Sequence, residues 1–335
     1  MCKKEVDDIL ALDIDRVKKE YCQWKREGTI GGTLINLIKP EKKIIKALDE
    51  VSFQVGKGEF LAYAGENGAG KSTTIKIMSG IIAPTSGSVK VLGMDPQKKR
   101  VELMKKVGML FGQRTELWWD HPVITSYQWK KDIWGISDKE YKTNLEMVTE
   151  LLGLSDILET FTRELSLGQR LKADIGMMLL HSPEMIILDE PTLGLDVLAK
   201  QKVIAFLKSI NKERGTTIVV TSHDMRELEE MAQRIILLSQ GKVVYDGSFE
   251  QLRKKENSTM SYKVTYLGEA PRLKGMELKS SNGYLHEYRL TYGNPQNFFS
   301  QISKIDGIIN IEISKEPIEE VISNIYQRGG EGYGK

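Results

Sequence analysis

Cysteine is nearly absent from this chain. Cys2 and Cys22 are the only two among 335 residues, so no disulfide framework can brace the fold, and the composition suits a reducing cytosol. Long apolar runs are missing too. The longest, such as Ile175–Leu180 and Met185–Leu188, fall far short of the roughly 18 residues that a membrane span requires. The start, Met-Cys-Lys-Lys-Glu, has no apolar h-region, and no signal peptide is expected. Neither sign of charge dominates: 48 Lys and Arg against 46 Asp and Glu leave a net charge of +2. That is too weak to make nucleic acid the expected main partner. Any membrane role has to come through another chain.

What the chain does have is an ordinary globular composition, 40% hydrophobic and 28% charged. Its length predicts two domains, or one large domain with an appendage. Short strands are expected at residues 9–15 and Val51–Val55, and continuously apolar ones at Met185–Leu188 and Thr217–Val220, with a helix at Lys200–Ile210 between the last two. Such alternation suits a buried parallel sheet with crossover connections. Residues 22–43, polar and carrying Gly31-Gly32 and Pro40, read as an insertion with one short amphipathic helix around Thr33–Ile38. After Asp246-Gly247-Ser248 a polar helix runs to about Asn257 and the pattern changes. Tyr262, Val264 and Tyr266 alternate, as do Tyr284, His286, Tyr288 and Leu290. A helix with Phe298, Phe299, Ile302 and Ile305 follows, then a strand at Ile308–Ile313 and a last helix lined by Ile318, Val321, Ile322 and Ile325. The expected organisation is a main domain over 1–255 and a small β-β-α-β-α domain over 256–335.

Gly65-Glu66-Asn67-Gly68-Ala69-Gly70-Lys71-Ser72-Thr73 satisfies the pattern G-x-x-x-x-G-K-[ST] at every constrained position. Phe60–Ala64 leads in as a buried strand, and a helical pattern leads out from Thr73. The glycines let the backbone curl so that its N–H groups point inward, and the helix start adds a positive partial charge. Lys71 then reaches the β- and γ-phosphates, and the Ser72 hydroxyl ligates Mg²⁺. A plain Gly-rich turn would not need Lys and Ser in register. Met185–Leu188 ends in Asp189-Glu190, which sets two carboxylates at the C-terminal edge of a strand, where α/β sheets bind ligands. Asp189 is expected to hold the Mg²⁺ directly or through water, and Glu190 to polarise the attacking water.

Leu165-Ser166-Leu167-Gly168-Gln169-Arg170 ends 19 residues before Asp189 and opens a helix containing Leu171, Ile175, Met178 and Leu179. Ser at a helix start is also an ordinary N-cap. That reading does not account for Gly168-Gln169, nor for the order phosphate loop, Ser-containing segment, acid pair. Here the chain resembles the ATP-binding subunits of ABC transporters, whose signature reads Leu-Ser-Gly-Gly-Gln. Ser166 and Gly168 are kept, and Leu167 departs where Gly is usual.

The resemblance covers about residues 5–250 and implies an α/β fold: a P-loop NTPase core sheet with an α-helical subdomain at about 115–170, to which this chain adds a small α+β C-terminal domain. It implies that Gln113, in Leu110-Phe111-Gly112-Gln113, reaches the Mg²⁺ and the attacking water. Asp196, in Pro191–Asp196, would touch the opposite subunit. His223, 33 residues beyond Glu190, would contact the γ-phosphate. Tyr21 is the first choice to stack on adenine, with Trp24 as the alternative. ATP along Gly65–Thr73 of one subunit would be capped by Ser166, Leu167, Gly168 and Gln169 of the other, either a second copy or a homologous ATPase subunit.

Trp118-Trp119-Asp120-His121-Pro122 either fills a core or helps form the groove for a cytoplasmic helix of a membrane subunit. Phe-Gly-Gln-Arg-Thr-Glu-Leu-Trp-Trp-Asp, together with Leu-Ser-Leu-Gly-Gln-Arg and the insertion, resembles the branch working with ABC-2-type permeases, often assigned to export. The implied protein is an ATPase on the cytoplasmic face of the cell membrane, driving an integral-membrane permease and binding no nucleic acid. One rival is a soluble ATPase of the same family acting on ribosomes or DNA. Its translation-associated members carry two cassettes in one chain, and its DNA-associated members insert coiled coils or zinc-binding cysteines; this sequence has neither. A nucleotide-gated module with little turnover would not need both Glu190 and His223. His121, His181 and His286 lack such context and read as structural or exposed.

Overall fold

The computed structural model describes residues 10–24, 42–112, 114–255, 260–290 and 295–327. It opens with two long antiparallel strands, β1 (Leu10–Trp24) and β2 (Lys42–Gly56), with Leu12 opposite Val55 and Tyr21 opposite Ile45. Leu12, Ile14 and Val17 of β1 and Leu48, Val51, Phe53 and Val55 of β2 are all buried, as alternation along a half-covered strand requires. The first strand thus runs well past the expected end at residue 15. The reason lies in the backbone: the polar stretch Lys18–Glu20 continues the ladder through Glu20 opposite Lys46, and Lys19 Nζ donates to the Ala83 carbonyl at 2.9 Å. Residues 22–24 and the start of β2 therefore belong to paired strand rather than to an insertion. The helix expected around Thr33–Ile38 lies outside the described residues.

Next come β3 (Phe60–Gly65), α1 (Lys71–Met78), β4 (Ser86–Val91), α2 (Arg100–Met104) and β5 (Val107–Phe111). β4 joins the edge of the first sheet, giving the order β2-β1-β4. A helical layer follows, α3 (Val123–Trp134), α4 (Asp138–Leu152) and α5 (Leu167–Leu179). The chain then re-enters the core with β6 (Met185–Asp189), α6 (Val197–Arg214), β7 (Thr217–Thr221), α7 (Met225–Met231), β8 (Arg234–Ser239) and β9 (Lys242–Ser248). The six-stranded core sheet has the order β5-β6-β7-β3-β8-β9, and β5–β6, β6–β7, β7–β3 and β3–β8 are all parallel pairs. Their C-terminal ends therefore point the same way, and the loops that follow β3, β5, β6 and β7 share one rim. One apolar core joins the two sheets: Phe53 and Tyr63 lie 5.4 Å apart between ring centroids, and Tyr63 is fully buried. Each such side chain contributes about 1.5–3 kcal/mol on burial.

The helical layer is held by close packing. Tyr127 of α3 is fully buried and donates its hydroxyl hydrogen to the Ala173 carbonyl at 2.7 Å. A Cβ on Gly176 would sit 2.3 Å from that hydroxyl oxygen, so the approach of α3 to α5 needs glycine there.

The chain divides into two compact units, the first running to Gly247 and the second spanning Ser248–Arg328. The second contains α8 (Phe249–Lys255), β10 (Met260–Tyr266), β11 (Met276–Asn282), β12 (Leu285–Leu290), α9 (Pro295–Ile302), β13 (Ile308–Lys315) and α10 (Ile318–Gln327). Its sheet order is β11-β12-β10-β13, over a core in which Tyr262 and Phe298 lie 4.4 Å apart. The sequence predicts one strand fewer. β11 is an edge strand whose residues after Met276 are all exposed, so it carries no buried alternation from which to read it.

Candidate functional site

Within Gly65–Thr73, Gly65 ends β3, residues 66–70 form the loop and Lys71 opens α1, and the glycines have distinct reasons. Gly70 stands at φ 110°, where a side chain would meet the Ala47 carbonyl at 2.5 Å. A Cβ on Gly65 would lie 2.4 Å from the Leu238 carbonyl of β8. Gly68, at φ 81°, has open space around it. Glu66, Asn67 and Ser72 are exposed, Thr73 is half-buried and Ala69 is buried. Lys71 is buried; its Nζ donates to the carbonyls of Gly65 at 2.6 Å and Glu66 at 3.1 Å. Burial pulls its ammonium below the usual lysine range, while Glu190, Asp189 and Glu66 act in the opposite direction.

The acid pair stands beside it at the end of β6. Thr221, at the end of β7, serves both members. Its hydroxyl donates to Asp189 Oδ1 at 2.7 Å, and the Glu190 N–H is shared between the Thr221 carbonyl and hydroxyl, both at 3.1 Å. Glu190 adopts φ 55°, the left-handed region, at a cost of order 1–3 kcal/mol for a residue with a Cβ. The turn aims its carboxylate at His223: Glu190 Oε1 and His223 Nε2 are 2.5 Å apart. The oxygen donors nearby, the Ser72 hydroxyl and the Asp189 carboxylate, are hard ligands. Among the described residues no cluster of three or more His, Cys, Asp or Glu could cage a metal. That donor set fits Mg²⁺, which takes one or two carboxylates and completes its shell with water and phosphate oxygens. Gln113 lies outside the described residues; its neighbour Gly112 donates its N–H to the Asp189 carbonyl at 2.8 Å.

Ser166 caps α5, and the two readings of it are compatible. Its Oγ accepts from the Gln169 N–H at 3.2 Å, and its own N–H donates to Gln169 Oε1 at 2.9 Å, a reciprocal capping box on an exposed surface. Leu167 is the first helical residue and has an ordinary negative φ, so the departure from Gly strains nothing. A Cβ on Gly168 would meet Leu195 only at 3.7 Å. Asp196 caps α6 by accepting from the Ala199 N–H at 2.9 Å and is exposed.

Glu227 went unnoticed in the sequence. It is buried on α7, accepts from Lys200 Nζ at 2.6 Å and from the Thr192 hydroxyl at 2.5 Å, and lies 3.4 Å from the Ser222 hydroxyl. One carboxylate therefore joins the loop leading to Asp196, the residue before His223, and helix α6.

Tyr21 is exposed on β1, with Lys19 Nζ 5.2 Å from its ring centroid. Its partner Ile45 on β2 is two residues from Ala47, whose carbonyl touches the phosphate loop at Gly70. Trp118 and Trp119 take up neither extreme. Trp118 packs on Trp129 and His121 with centroids at 5.4 and 5.3 Å and stays 37% exposed, while Trp119 is half exposed under Arg170.

His286 is buried, with Nδ1 2.9 Å from the Ser281 hydroxyl. His181 packs near Trp134, and burial, helped by Lys130, pushes its pKa down to about 4. Its folded value lies below 6.5, so the unfolded chain binds the proton first. The stability His181 supplies above pH 6.5 is therefore lost as pH falls toward 4. Asp174, raised to about 6 by burial, opposes it, because its stabilisation is present at low pH and fades as pH rises through 6. Denaturant melts of His181→Leu and the parent chain should differ in slope across this window, the parent losing on the order of 2–3 kcal/mol more on acidification.

Fold and rim together define a phosphate-loop nucleoside triphosphatase: a parallel core sheet, a helical layer and a separate small α+β unit. The family described as ABC transporter matches residues 48–193. The ABC transporter ATP-binding protein NatA of Bacillus subtilis (strain 168) is 32% identical over 65% of this chain and 88% of its own. The methionine import ATP-binding protein MetN of Carboxydothermus hydrogenoformans is 34% identical over 62% of this chain and 63% of its own. The dimeric ATP-binding cassette MJ0796, in a post-hydrolysis state with ADP and Pi, aligns with a TM-score of 0.59 at 25% identity over 71% of this chain and 98% of that one. The chain belongs to the ATP-binding proteins of the ABC transporter family, and it is an ATPase. Among the described residues no helix is long and apolar enough to cross a membrane.

Proposed function

We propose that this chain hydrolyses ATP at composite sites formed with a second copy or a homologous ATPase subunit, and that closure and release of the pair drive an ABC-2-type integral-membrane permease, in the export direction. The observation that carries this reading is the Glu190–His223 contact of 2.5 Å on the rim that also bears the phosphate loop. Residues 1–255 serve as the ATP-binding domain and 256–335 as an accessory domain.

The N–H groups of Gly65–Thr73 cradle the phosphates, and Lys71 leaves its carbonyl partners for the β- and γ-phosphates. Ser72, Asp189 and Gln113 would hold Mg²⁺, which when bound would supply positive charge against that of the phosphates. Thr221 keeps Asp189 and Glu190 in register, Glu190 accepts the proton of the attacking water, and His223 bridges Glu190 and the γ-phosphate. Ser166 through Gln169 of the opposing subunit cap the same phosphate, with Asp196 lining the contact between subunits. Because charge-assisted bonds from both subunits converge on the γ-phosphate, closure depends on it and hydrolysis releases the pair.

Tyr21 stacks on adenine. Tyr21→Ala is expected to weaken ATP binding by roughly 1–3 kcal/mol, read by equilibrium titration; unchanged affinity would transfer the role to Trp24. The exposed Trp118–Trp119 surface supports a membrane partner that places the ATPase on the cytoplasmic face of the cell membrane. Purifying the full chain from solubilised native membranes should bring an integral-membrane subunit with it, and should stimulate turnover when that subunit is reconstituted. Recovery of ribosomes or DNA instead would overturn the transport reading.

A further inference from the structure

The buried stretch of α5, Ala173–Leu179, is apolar at every position except one. Asp174 is 7% exposed, and its Oδ1 accepts two hydrogen bonds from outside the helix, from the Thr115 hydroxyl at 2.8 Å and from the Glu116 N–H at 3.1 Å. The Thr115 hydroxyl in turn accepts from the Leu117 N–H at 3.1 Å. Three consecutive residues just beyond the glutamine segment are thereby fastened to the helix that begins at Ser166. One turn earlier on α5, the Arg170 guanidinium lies 5.3 Å from the Trp119 ring centroid. Trp118 is held as well, its N–H donating to the Ser126 hydroxyl at 2.9 Å.

An alanine would suit this helix position and avoid desolvating a carboxylate, and an apolar replacement for a buried charge is often neutral or stabilising. The acid is therefore hard to explain as a source of stability. Its hydrogen bonds explain it as a connector. Ser166 stands two helical turns from Asp174 on the same rigid element, so displacement of one displaces the other.

We propose that Asp174 is a positioning residue that ties the Thr115–Leu117 segment, and with it the Trp118–Trp119 surface, to the signature helix, so that a push on the tryptophans moves Ser166. The mechanical half of this inference stands on geometry alone; its consequence for hydrolysis rests on Ser166 acting at the opposing subunit's ATP, as proposed above. The charged groups facing the carboxylate are Glu116 and Arg170. Glu116 also meets Lys130 of α3 at 3.6 Å, which extends the tie to a second helix.

The test uses the full chain without nucleotide. In Asp174→Ala, hydrogen exchange at the Glu116 and Leu117 amides and at the Ser166 and Gln169 amides should accelerate together, by roughly tenfold. Thr115→Val removes the hydroxyl's bond to Asp174 and also the acceptor of the Leu117 N–H, so it should free the Leu117 amide directly and accelerate exchange more weakly at Glu116, Ser166 and Gln169. Asp174→Asn keeps the Oδ1 acceptor and should restore exchange to within about twofold of the parent. In steady-state ATPase assays, Asp174→Ala should lose roughly tenfold in kcat with KM within about twofold, because the phosphate loop is untouched. Parent-like exchange at Ser166 and Gln169 in Asp174→Ala, or an Asn variant no better than Ala, overturns the tie. Exchange needs no nucleotide, so these outcomes are separate from any failure of Ser166 to act in trans.

Discussion

Glu190→Gln is expected to lower ATP turnover by roughly 10²–10⁴-fold, the range for losing an acid–base group, while leaving an ATP-bound dimer that persists. The amide matches the carboxylate in size, so the left-handed turn at φ 55° gains no new strain. Thr221 can still receive the residue 190 N–H. What disappears is basicity toward water and the charge facing His223. Phosphate release measures the first effect, and chromatography in ATP and Mg²⁺ measures the second. A variant turning over at the parent rate would take the catalytic role away from Glu190 and leave the 2.5 Å contact as structural.

Ser166→Arg is expected to abolish turnover and spare ATP binding. The phosphate loop and the signature helix are separate parts of one chain, and only the opposing subunit's site receives residue 166 in the proposed arrangement. An arginine there brings bulk to a surface that has to close. It also removes the capping box, which costs about 1 kcal/mol of helix stability, so Ser166→Ala is the control: it loses the cap without the bulk. Equilibrium binding of ATP together with turnover separates the effects. If Ser166→Arg binds ATP weakly, or turns over like Ser166→Ala, the composite site is wrong.

Much of this rim could be read from sequence because phosphate chemistry constrains adjacent residues. Gly65–Thr73 must alternate small residues with Lys and Ser in a fixed register, and Asp189-Glu190 must follow a buried strand. Partners distant in sequence leave no such mark. Thr221 reads as one more β-branched residue at the end of β7, yet it orients both carboxylates. Glu227 reads as one of several acids on a surface-like helix, yet it is buried under Thr192 and Lys200. Asp174 did leave a signal, a lone carboxylate within an apolar helical run. The lengths of β1 and β2 were hidden for a different reason: backbone pairing carries a strand through polar residues whose side chains show no alternation. β11 was hidden likewise, with almost no side chain buried to betray it.

The cap on Ser166 has one more consequence. A hydroxyl offers one proton and two lone pairs, and the Gln169 N–H occupies a lone pair at 3.2 Å. The proton remains free to point outward from an exposed helix start. In the arrangement proposed above, Ser166 can therefore offer that proton to an approaching subunit without giving up its cap. A terminal phosphate, which can only accept, suits that outward proton, and binding it would leave the helix end capped.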